Sequence, residues 1–264
     1  MLVYIHIPKT AGSTINAILM RNFGEGYFHF HTDRNGDFLS DVEVMDMINS
    51  FQPRAQVISG HDIRPLDSTT SKSLGLSYFT FIRHPIKRAI SLYHYERART
   101  NKNHISQFPF DEYVNQRIKQ DKSISNWQTY NIVESGKFED AIDILENFMM
   151  VGVVEKFDIS LIILKKYLQK PYFNINQKPV NISQKKIVSF ETLPKQILEQ
   201  LTELNQEDLK LYDYANKRLE KEAAKIANLD RKVKILRQKK YIISSLSNIK
   251  SDLKISFKNI IKTS

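Results

Sequence analysis

Cysteine is absent from this chain of 264 residues, and tryptophan occurs only once. Without cysteine the protein has no disulfide and no thiolate nucleophile or metal ligand, which fits a reducing compartment. Long hydrophobic runs are also missing, since none approaches the roughly 20 apolar residues that a membrane-spanning helix needs. No leader segment precedes the first apolar run. We therefore expect a soluble, cytoplasmic protein.

Acidic residues are scarce at the carboxyl-terminal end, which carries almost all of the net charge. Residues 225–264 hold eleven Lys and Arg against two Asp, which accounts for +9 of the total of +10. The segment from 1 to 224 is therefore nearly neutral. This distribution argues against a protein-wide basic surface and hence against nucleic acid as a partner.

Apolar residues recur every three or four positions in this tail, as they do on one face of a helix. The apolar set comprises Ile242, Leu246, Ile249, Leu253, Phe257 and Ile260, and a column of lysines runs beside it at Lys250, Lys254, Lys258 and Lys262. A basic amphipathic helix of this kind can lie on an anionic membrane or dock on a partner. It can equally pack on its own domain or pair between protomers.

Short apolar runs alternate with helical spacing in the part of the chain that precedes the tail. The runs lie at residues 2–7, 28–31, 57–58, 76–82 and 148–154, and residues 67–73 read as a Ser/Thr-rich loop. Strands that alternate with helices predict an α/β fold with a central, mainly parallel sheet covered by helices. Neither a repeat nor a flexible linker interrupts the sequence. We therefore expect one domain over residues 1–224, followed by a basic, helical tail over residues 225–264.

The first apolar run leads directly into a loop rich in groups that bind anions. The loop and the start of the next helix contain Lys9, Thr10, Ala11, Gly12, Ser13 and Thr14. A strand that ends in a tight loop before a helix aims unpaired N–H groups and the helix dipole at one point. Gly12 allows a close approach of the backbone, and Lys9 adds a mobile cation. The alternative is a Ser/Thr helix cap beside a surface lysine.

This loop is not a Walker A motif, in which the lysine follows the last glycine and precedes Ser or Thr. Here Lys9 comes three residues before Gly12, and the hydroxyl that usually binds magnesium is missing. No Cys/His or carboxylate cluster has metal-ligand spacing either. The sequence therefore predicts no bound metal.

A second set of anion-binding groups follows the run at residues 76–82, in the stretch "FIRHPIKRAISLYHYER". Arg83 stands at the end of the predicted strand, Pro85 opens a helix, and Ser91 lies about two helical turns further on. The Arg83 guanidinium can bind a phosphate through two hydrogen bonds, and Ser91 can add a hydroxyl donor. A solvated basic helix face is the alternative. Two anion sites at two strand-to-helix junctions suit a ligand with phosphates at both ends.

Together these motifs resemble the sulfotransferases that use 3′-phosphoadenosine 5′-phosphosulfate (PAPS). The similarity is greatest to the carbohydrate branch, which includes heparan sulfate 2-O-sulfotransferase and bacterial homologues. The resemblance covers roughly residues 1–220, because "NWQT" at 126–129 and "FMMVGVVEKFD" at 148–158 also match. It implies a P-loop-like, three-layer α/β domain. It also implies that residues 9–14 bind the 5′-phosphosulfate and that Arg83 and Ser91 bind the 3′-phosphate.

The resemblance further implies the chemistry, which is sulfuryl transfer from PAPS to a hydroxyl of a carbohydrate or glycoconjugate, with PAP (adenosine 3′,5′-bisphosphate) as product. His61, in "VISGHD", resembles the general base of the carbohydrate branch, and Lys9 would stabilise the departing phosphate. Imidazole suits a base near neutral pH. Animal relatives carry a second histidine two places earlier, where this chain has Ser59. The "KPVNISQKK" loop, residues 178–186, is the candidate clamp over the nucleotide.

The remaining histidines are given smaller roles from the sequence. His6 is expected to pack in the core, and His29 and His31 could line a substrate cleft or serve the fold. Two other functions stay open: a P-loop-type kinase, which magnesium dependence would reveal, and a nucleotide-binding scaffold without turnover. The scaffold would bind PAP without any dependence on His61.

Overall fold

The computed structural model describes residues 1–30, 37–100, 104–176, 187–243 and 245. Its centre is a sheet of five strands in the order β2-β3-β1-β4-β5, and every neighbouring pair is parallel. The strands are β1 (Leu2–Ile5), β2 (Tyr27–Phe30), β3 (Val57–Gly60), β4 (Ser77–Ile82) and β5 (Met149–Val153). The predicted α/β class with a parallel, helix-covered sheet is therefore confirmed. His31, the candidate clamp loop and the tail beyond 245 lie outside the described residues.

Ten helices surround this sheet within the described ranges that precede the tail. They are α1 (Gly12–Phe23), α2 (Asp41–Phe51), α3 (Ser68–Ser73), α4 (Pro85–Arg99), α5 (Phe110–Gln120), α6 (Trp127–Tyr130), α7 (Phe138–Asn147), α8 (Phe157–Tyr167), α9 (Lys195–Leu204) and α10 (Gln206–Ala224). None of the described helices is long and apolar enough to cross a membrane. Local chemistry explains some of the helix starts: Ser40 and Glu43 form a capping box at α2, and Pro85 occupies the first turn of α4.

The prediction of a loop over residues 67–73 is wrong, because most of this stretch is α3. The Asp67 carboxylate accepts hydrogen bonds from the backbone N–H groups of Thr69 and Thr70, at 2.9 and 3.0 Å. This N-cap supplies partners for donors that would otherwise be unpaired at the helix start. Ser and Thr are weak helix formers, so composition favoured a loop while the cap and the tertiary packing stabilise a helix.

The strands are apolar because helices cover both faces of the sheet, as in most parallel sheets. β1 lies in the middle, between β3 and β4, with Val3, Tyr4 and Ile5 almost fully buried. Parallel strands end at the same edge, so the segments that follow β3, β1 and β4 come together there. Chain order also reverses at β1, which is where doubly wound sheets bind their ligands.

The described part of the tail is a helix over residues 229–243, here called the tail helix. Val233 and Leu236 on its inner face are 9% and 6% exposed. Arg237 Nε lies 2.9 Å from Asp158 Oδ2 at the start of α8. This segment therefore packs on its own domain through one face.

Candidate active site

The loop after β1 turns sharply because two of its residues adopt left-handed backbone angles. Lys9 has φ 71° and Ala11 has φ 70°, and Ala11 is the N-cap of α1. The Thr10 hydroxyl is buried and donates to the carbonyl of Ile7 at 2.8 Å. That hydroxyl closes the loop, so Thr10 can serve a ligand only through its backbone. The N–H groups at the start of α1 and the helix dipole point out of the loop, as an anion cradle requires.

Gly12 makes room for a histidine ring inside the protein. A Cβ added at Gly12 would lie 1.5 Å from Nε2 of His6, the residue that directly follows β1. His6 is 7% exposed, and its backbone N–H donates to the carbonyl of Gly60 at 3.0 Å. Close approach of a ligand was the reason expected from the sequence. The structure gives a different one, because the His6 imidazole fills the place of any side chain at this position.

Lys9 lies in a strongly positive environment. Its ammonium nitrogen is 3.8 Å from the centre of the Tyr95 ring on α4, a cation–π distance. Burial lowers the pKa of Lys9 to about 8, and the nearby guanidinium groups of Arg83 and Arg99 add to the effect. A partly buried cation among other cations is costly without a counter-ion. An anion bound at this place would relieve that cost.

Arg83, directly after β4, is fixed through its backbone. Its N–H donates to Gln128 Oε1 and its carbonyl accepts from Gln128 Nε2, both at 2.8 Å. The guanidinium is partly buried, with Nε 4.0 Å from Glu155 Oε1. That Nε is shielded from solvent and has no hydrogen-bond partner among the described residues. Burial lowers the pKa of Arg83. The side chain thus retains an unused donor at the edge of the sheet.

Residues of the "NWQT" stretch fix the position of Gln128, which holds the Arg83 backbone. Asn126 has φ 45°, and its side-chain oxygen accepts from the N–H groups of Glu207 and Asp208, at 3.0 and 3.1 Å. The fully buried Asp208 carboxylate in turn accepts from the N–H groups of Gln128 and Thr129 at 3.1 and 2.7 Å. Sequence reasoning missed Asp208, because a lone aspartate in the first turn of α10 looks like an ordinary surface residue.

Helix α4 carries the other residues of the second motif. Arg88 is 1% exposed, its guanidinium donates to the carbonyl of Ser123, and burial lowers its pKa to about 10. This hydrogen bond ties α4 to the loop that contains Ser123. Ser91 is half-buried, and Tyr95, which contacts Lys9, follows it by four residues on the same helix face. Ser91 thus faces the side of α4 that borders the first motif.

His61 is the first residue after β3, and the His6 backbone sets its orientation. His61 Nδ1 lies 2.7 Å from the His6 carbonyl oxygen, and because that oxygen can only accept, Nδ1 carries the proton. In the neutral ring Nε2 is then the basic nitrogen. The His6 ring lies against the His61 ring, with centres 3.9 Å apart. Burial, followed by the charges of His61 and His29, lowers the pKa of His6 to about 2. His6 therefore stays neutral beside a titratable partner.

His29 on β2 completes a group of three histidines. Its ring centre lies 6.2 Å from that of His61, and its Nδ1 is 2.7 Å from Ser59 Oγ. The Ser59 hydroxyl is buried and also lies 2.9 Å from the Tyr27 hydroxyl. Ser59, two places before His61, therefore positions a histidine from the neighbouring strand. No local pattern could have revealed this group, because its members come from three different strand ends.

His84 and His94 make their contacts outside this group. His84 packs edge-on against the rings of Phe190 and Tyr212, and His94 Nε2 accepts from the backbone of Ile187 and Val188. In the ranges that the structure describes, no three His, Asp or Glu side chains are arranged to hold a metal ion.

The fold and this edge define an α/β protein with cationic side chains on the loops after β1 and β4 and an imidazole after β3. A family model described as "Sulfotransferase family" matches residues 1–156, which is more than half of the chain. The chain belongs to the sulfotransferase family, as its motifs predicted.

Individual proteins were also compared with the chain. A protein of Archaeoglobus fulgidus described as uncharacterized is 27% identical over 241 residues, which cover 81% of this chain and 94% of that one. Among solved structures, mouse sulfotransferase SULT7A1 complexed with PAP is similar at 15% identity and a TM-score of 0.48, over 85% of this chain and 88% of that one. The sequence similarity to the archaeal protein extends well beyond residue 156.

The contact between Gly12 and His6 predicts how substitutions at these two positions change the free energy of unfolding. Gly12→Ala should lower the free energy of unfolding by about 2–3 kcal/mol, because the new methyl group collides with the imidazole. In a His6→Ala background the same change should cost less than about 1 kcal/mol, since the ring is gone. Urea denaturation of the wild type, both single variants and the double variant measures this coupling. Equal costs of Gly12→Ala in the two backgrounds would contradict the proposed reason for the glycine.

Proposed function

We propose that the protein transfers a sulfuryl group from PAPS to a hydroxyl of a carbohydrate or glycoconjugate. One observation carries the proposal: three neighbouring strands, β4, β1 and β3, end at one edge and bring Arg83, Lys9 and His61 there in that order. This order suits a donor bound between β1 and β4 and an acceptor approaching from the β3 side. Membership of the sulfotransferase family supports the reaction class.

The residues present fit the two phosphate groups of the donor. Lys9 and the backbone of residues 10–14 would hold the 5′-phosphosulfate, and Arg83 and Ser91 would hold the 3′-phosphate. Two observations favour this assignment: the pKa of Lys9 is lowered, and Arg83 Nε makes no hydrogen bond within the described residues, its nearest acidic partner being Glu155 in an ion pair of 4.0 Å. Lys9 would gain a counter-charge and Arg83 a hydrogen-bond acceptor from a bound phosphate. When bound, PAPS supplies the sulfuryl group and leaves as PAP.

His61 would act as the general base. Its Nε2 would accept the proton of the acceptor hydroxyl, because Nδ1 is already occupied by the His6 carbonyl. The neighbouring His6 does not compete for that proton, since its pKa is about 2. Lys9 would stabilise the negative charge that develops on the departing phosphate.

The carbohydrate class of the acceptor rests on the Gly60-His61 pair, which resembles the carbohydrate branch. A cytoplasmic location, expected from the absence of cysteine, is part of the same proposal.

Binding of PAP in the absence of magnesium tests the nucleotide site. Arg83→Ala should weaken the calorimetric Kd at least about ten-fold, because a charge-assisted, two-pronged phosphate contact is lost. Arg54→Ala is the matched control, since Arg54 is exposed and lies before β3, at the opposite edge of the sheet. Equal binding by wild type and Arg83→Ala, or no binding by the folded wild type, would refute the assignment.

The pKa of Lys9 predicts how PAP binding depends on pH. In the free protein this pKa is about 8, and a bound phosphate raises it by favouring the charged form. Above pH 8 the free protein has lost a proton that the complex keeps, so affinity should fall, by up to about ten-fold per pH unit. Calorimetry at pH 9 in buffers of different ionisation enthalpy should show uptake of about one proton, against almost none at pH 7. Lys9→Met should bind more weakly and lose this uptake; its persistence would assign the proton to another group.

Turnover distinguishes the enzyme from a nucleotide-binding scaffold. With labelled PAPS and the acceptor found by screening polysaccharides, glycolipids and glycosides, His61→Ala should lower kcat by about 10²–10⁴-fold. Its affinity for PAP should stay within a factor of about two. Undiminished kcat in the folded variant would exclude His61 as the base.

A further inference from the structure

A basic groove lies far from the candidate active site, between the tail helix, the end of α8 and residues 172–176. Its cavity volume is about 610 Å³. The walls are mostly apolar and include Ile162, Phe173, Ile175, Ile226, Ile235 and Leu236. Four lysines border it: Lys165 and Lys166 from α8, and Lys232 and Lys239 from the tail helix.

Among the described residues, no acidic side chain lines the basic groove. The ion pairs formed within the described ranges involve other lysines, such as Lys156 with Glu220 and Lys217 with Asp213. The four lysines around the apolar trough repel one another, and the carboxylate of Glu222, whose pKa is lowered by its hydrogen bond with Lys225 and by the charges of Lys225 and Lys166, offsets part of that repulsion. The groove is therefore complementary in charge to an anionic surface.

The tail helix turns part of its apolar surface outward. Its inner face is attached through Val233 and Leu236, so a second face carries Lys232, Ile235 and Lys239, spaced by three and four residues. Ile235 is 41% exposed, and Tyr172 on the opposite wall of the groove is 97% exposed. The same face continues to Ile242, which is 55% exposed. Large apolar and tyrosine side chains beside lysines are typical of residues at a membrane interface.

The basic groove faces away from the candidate active site. α8 starts just after the carboxyl end of β5, so its last turn, with Lys165 and Lys166, lies toward the amino edge of the sheet. Phe173 beside the groove contacts Phe23, the last residue of α1, with ring centres 5.9 Å apart. α1 begins in the loop that carries Lys9 and runs to the opposite edge. The groove itself therefore lies toward the amino edge, while Arg237 of the tail helix reaches Asp158 at the start of α8 on the carboxyl side.

We propose that the basic groove and the outer face of the tail helix form a docking surface for an anionic lipid bilayer. The lysines would contact lipid phosphates, while Ile235, Ile242 and Tyr172 would enter the headgroup region. The apolar walls favour a bilayer over nucleic acid, whose phosphate backbone would gain nothing from them. The sequence from 246 to 264 adds four lysines against one aspartate, which strengthens the same attraction. This proposal does not depend on the proposed reaction.

Vesicle sedimentation with the full chain tests the docking surface. The protein should bind vesicles that contain about one third phosphatidylglycerol, bind phosphatidylcholine vesicles poorly, and dissociate at about 0.5 M NaCl. Each lysine near such a surface contributes roughly five-fold to partitioning, so Lys165→Gln/Lys166→Gln should weaken binding about twenty-fold. Lys232→Gln/Lys239→Gln should do the same. Tyr172→Ser, at a fully exposed position that cannot disturb folding, should also reduce binding.

The matched control is Lys137→Gln/Lys195→Gln, which makes the same charge change at two lysines on other surfaces. It should weaken vesicle binding by less than about three-fold, the effect of net charge alone. An equal loss in the control, equal binding to neutral vesicles, or no vesicle binding would overturn the proposal. So would lysine-dependent binding of a duplex oligonucleotide, or of a second copy of the chain, without vesicle binding.

Discussion

The arrangement of the candidate active site depends on the contacts of one residue, His6. The imidazole ring occupies the space above Gly12, so it sets the path of the loop after β1 into α1. Its backbone carbonyl holds Nδ1 of His61, and its N–H is bonded to Gly60 at the end of β3. One residue thereby couples the β1 loop to the β3 strand end. Because a parallel sheet aligns these strand ends, small side chains suffice to connect them.

The part of the site around Arg83 is held by a network of polar hydrogen bonds. Gln128 holds both backbone groups of Arg83, and Asp208 holds the backbone of Gln128. Buried carboxylates are costly unless their hydrogen bonds are satisfied, and Asp208 accepts several. The network fixes the Arg83 backbone, while Arg83 Nε makes no hydrogen bond within the described residues and lies 4.0 Å from Glu155 Oε1. A fixed donor loses little entropy when an anion binds, which favours affinity.

Several cationic side chains lie close together at the carboxyl edge of the sheet, and their repulsion and burial destabilise the free protein. Burial, followed by the charges of Arg83 and Arg99, lowers the pKa of Lys9 to about 8, while the carboxylate of Glu96 acts in the opposite direction. Arg88 is itself buried with its pKa lowered to about 10, so its charge is retained where little water can screen it. A site of this kind is stabilised when a polyanion binds. The near-neutral charge of the domain that precedes the tail hides this local concentration, because acidic residues elsewhere balance it.

The sequence by itself determined the sheet class and the family, and it located the loops after β1 and β4 and the histidine after β3 on which the proposed function rests, since each depends on residues close together in the chain. It assigned α3 to a loop, because composition does not register the cap supplied by Asp67. Tertiary structure decided the rest: that Gly12 accommodates His6, that His29 and Ser59 stand beside His61, and that Asp208 supports Arg83. These contacts join residues far apart in the chain, such as Gln128 and Asp208. Periodicity and spacing report only which face of an element is apolar, so pairings across strands and helices arise only when the elements pack.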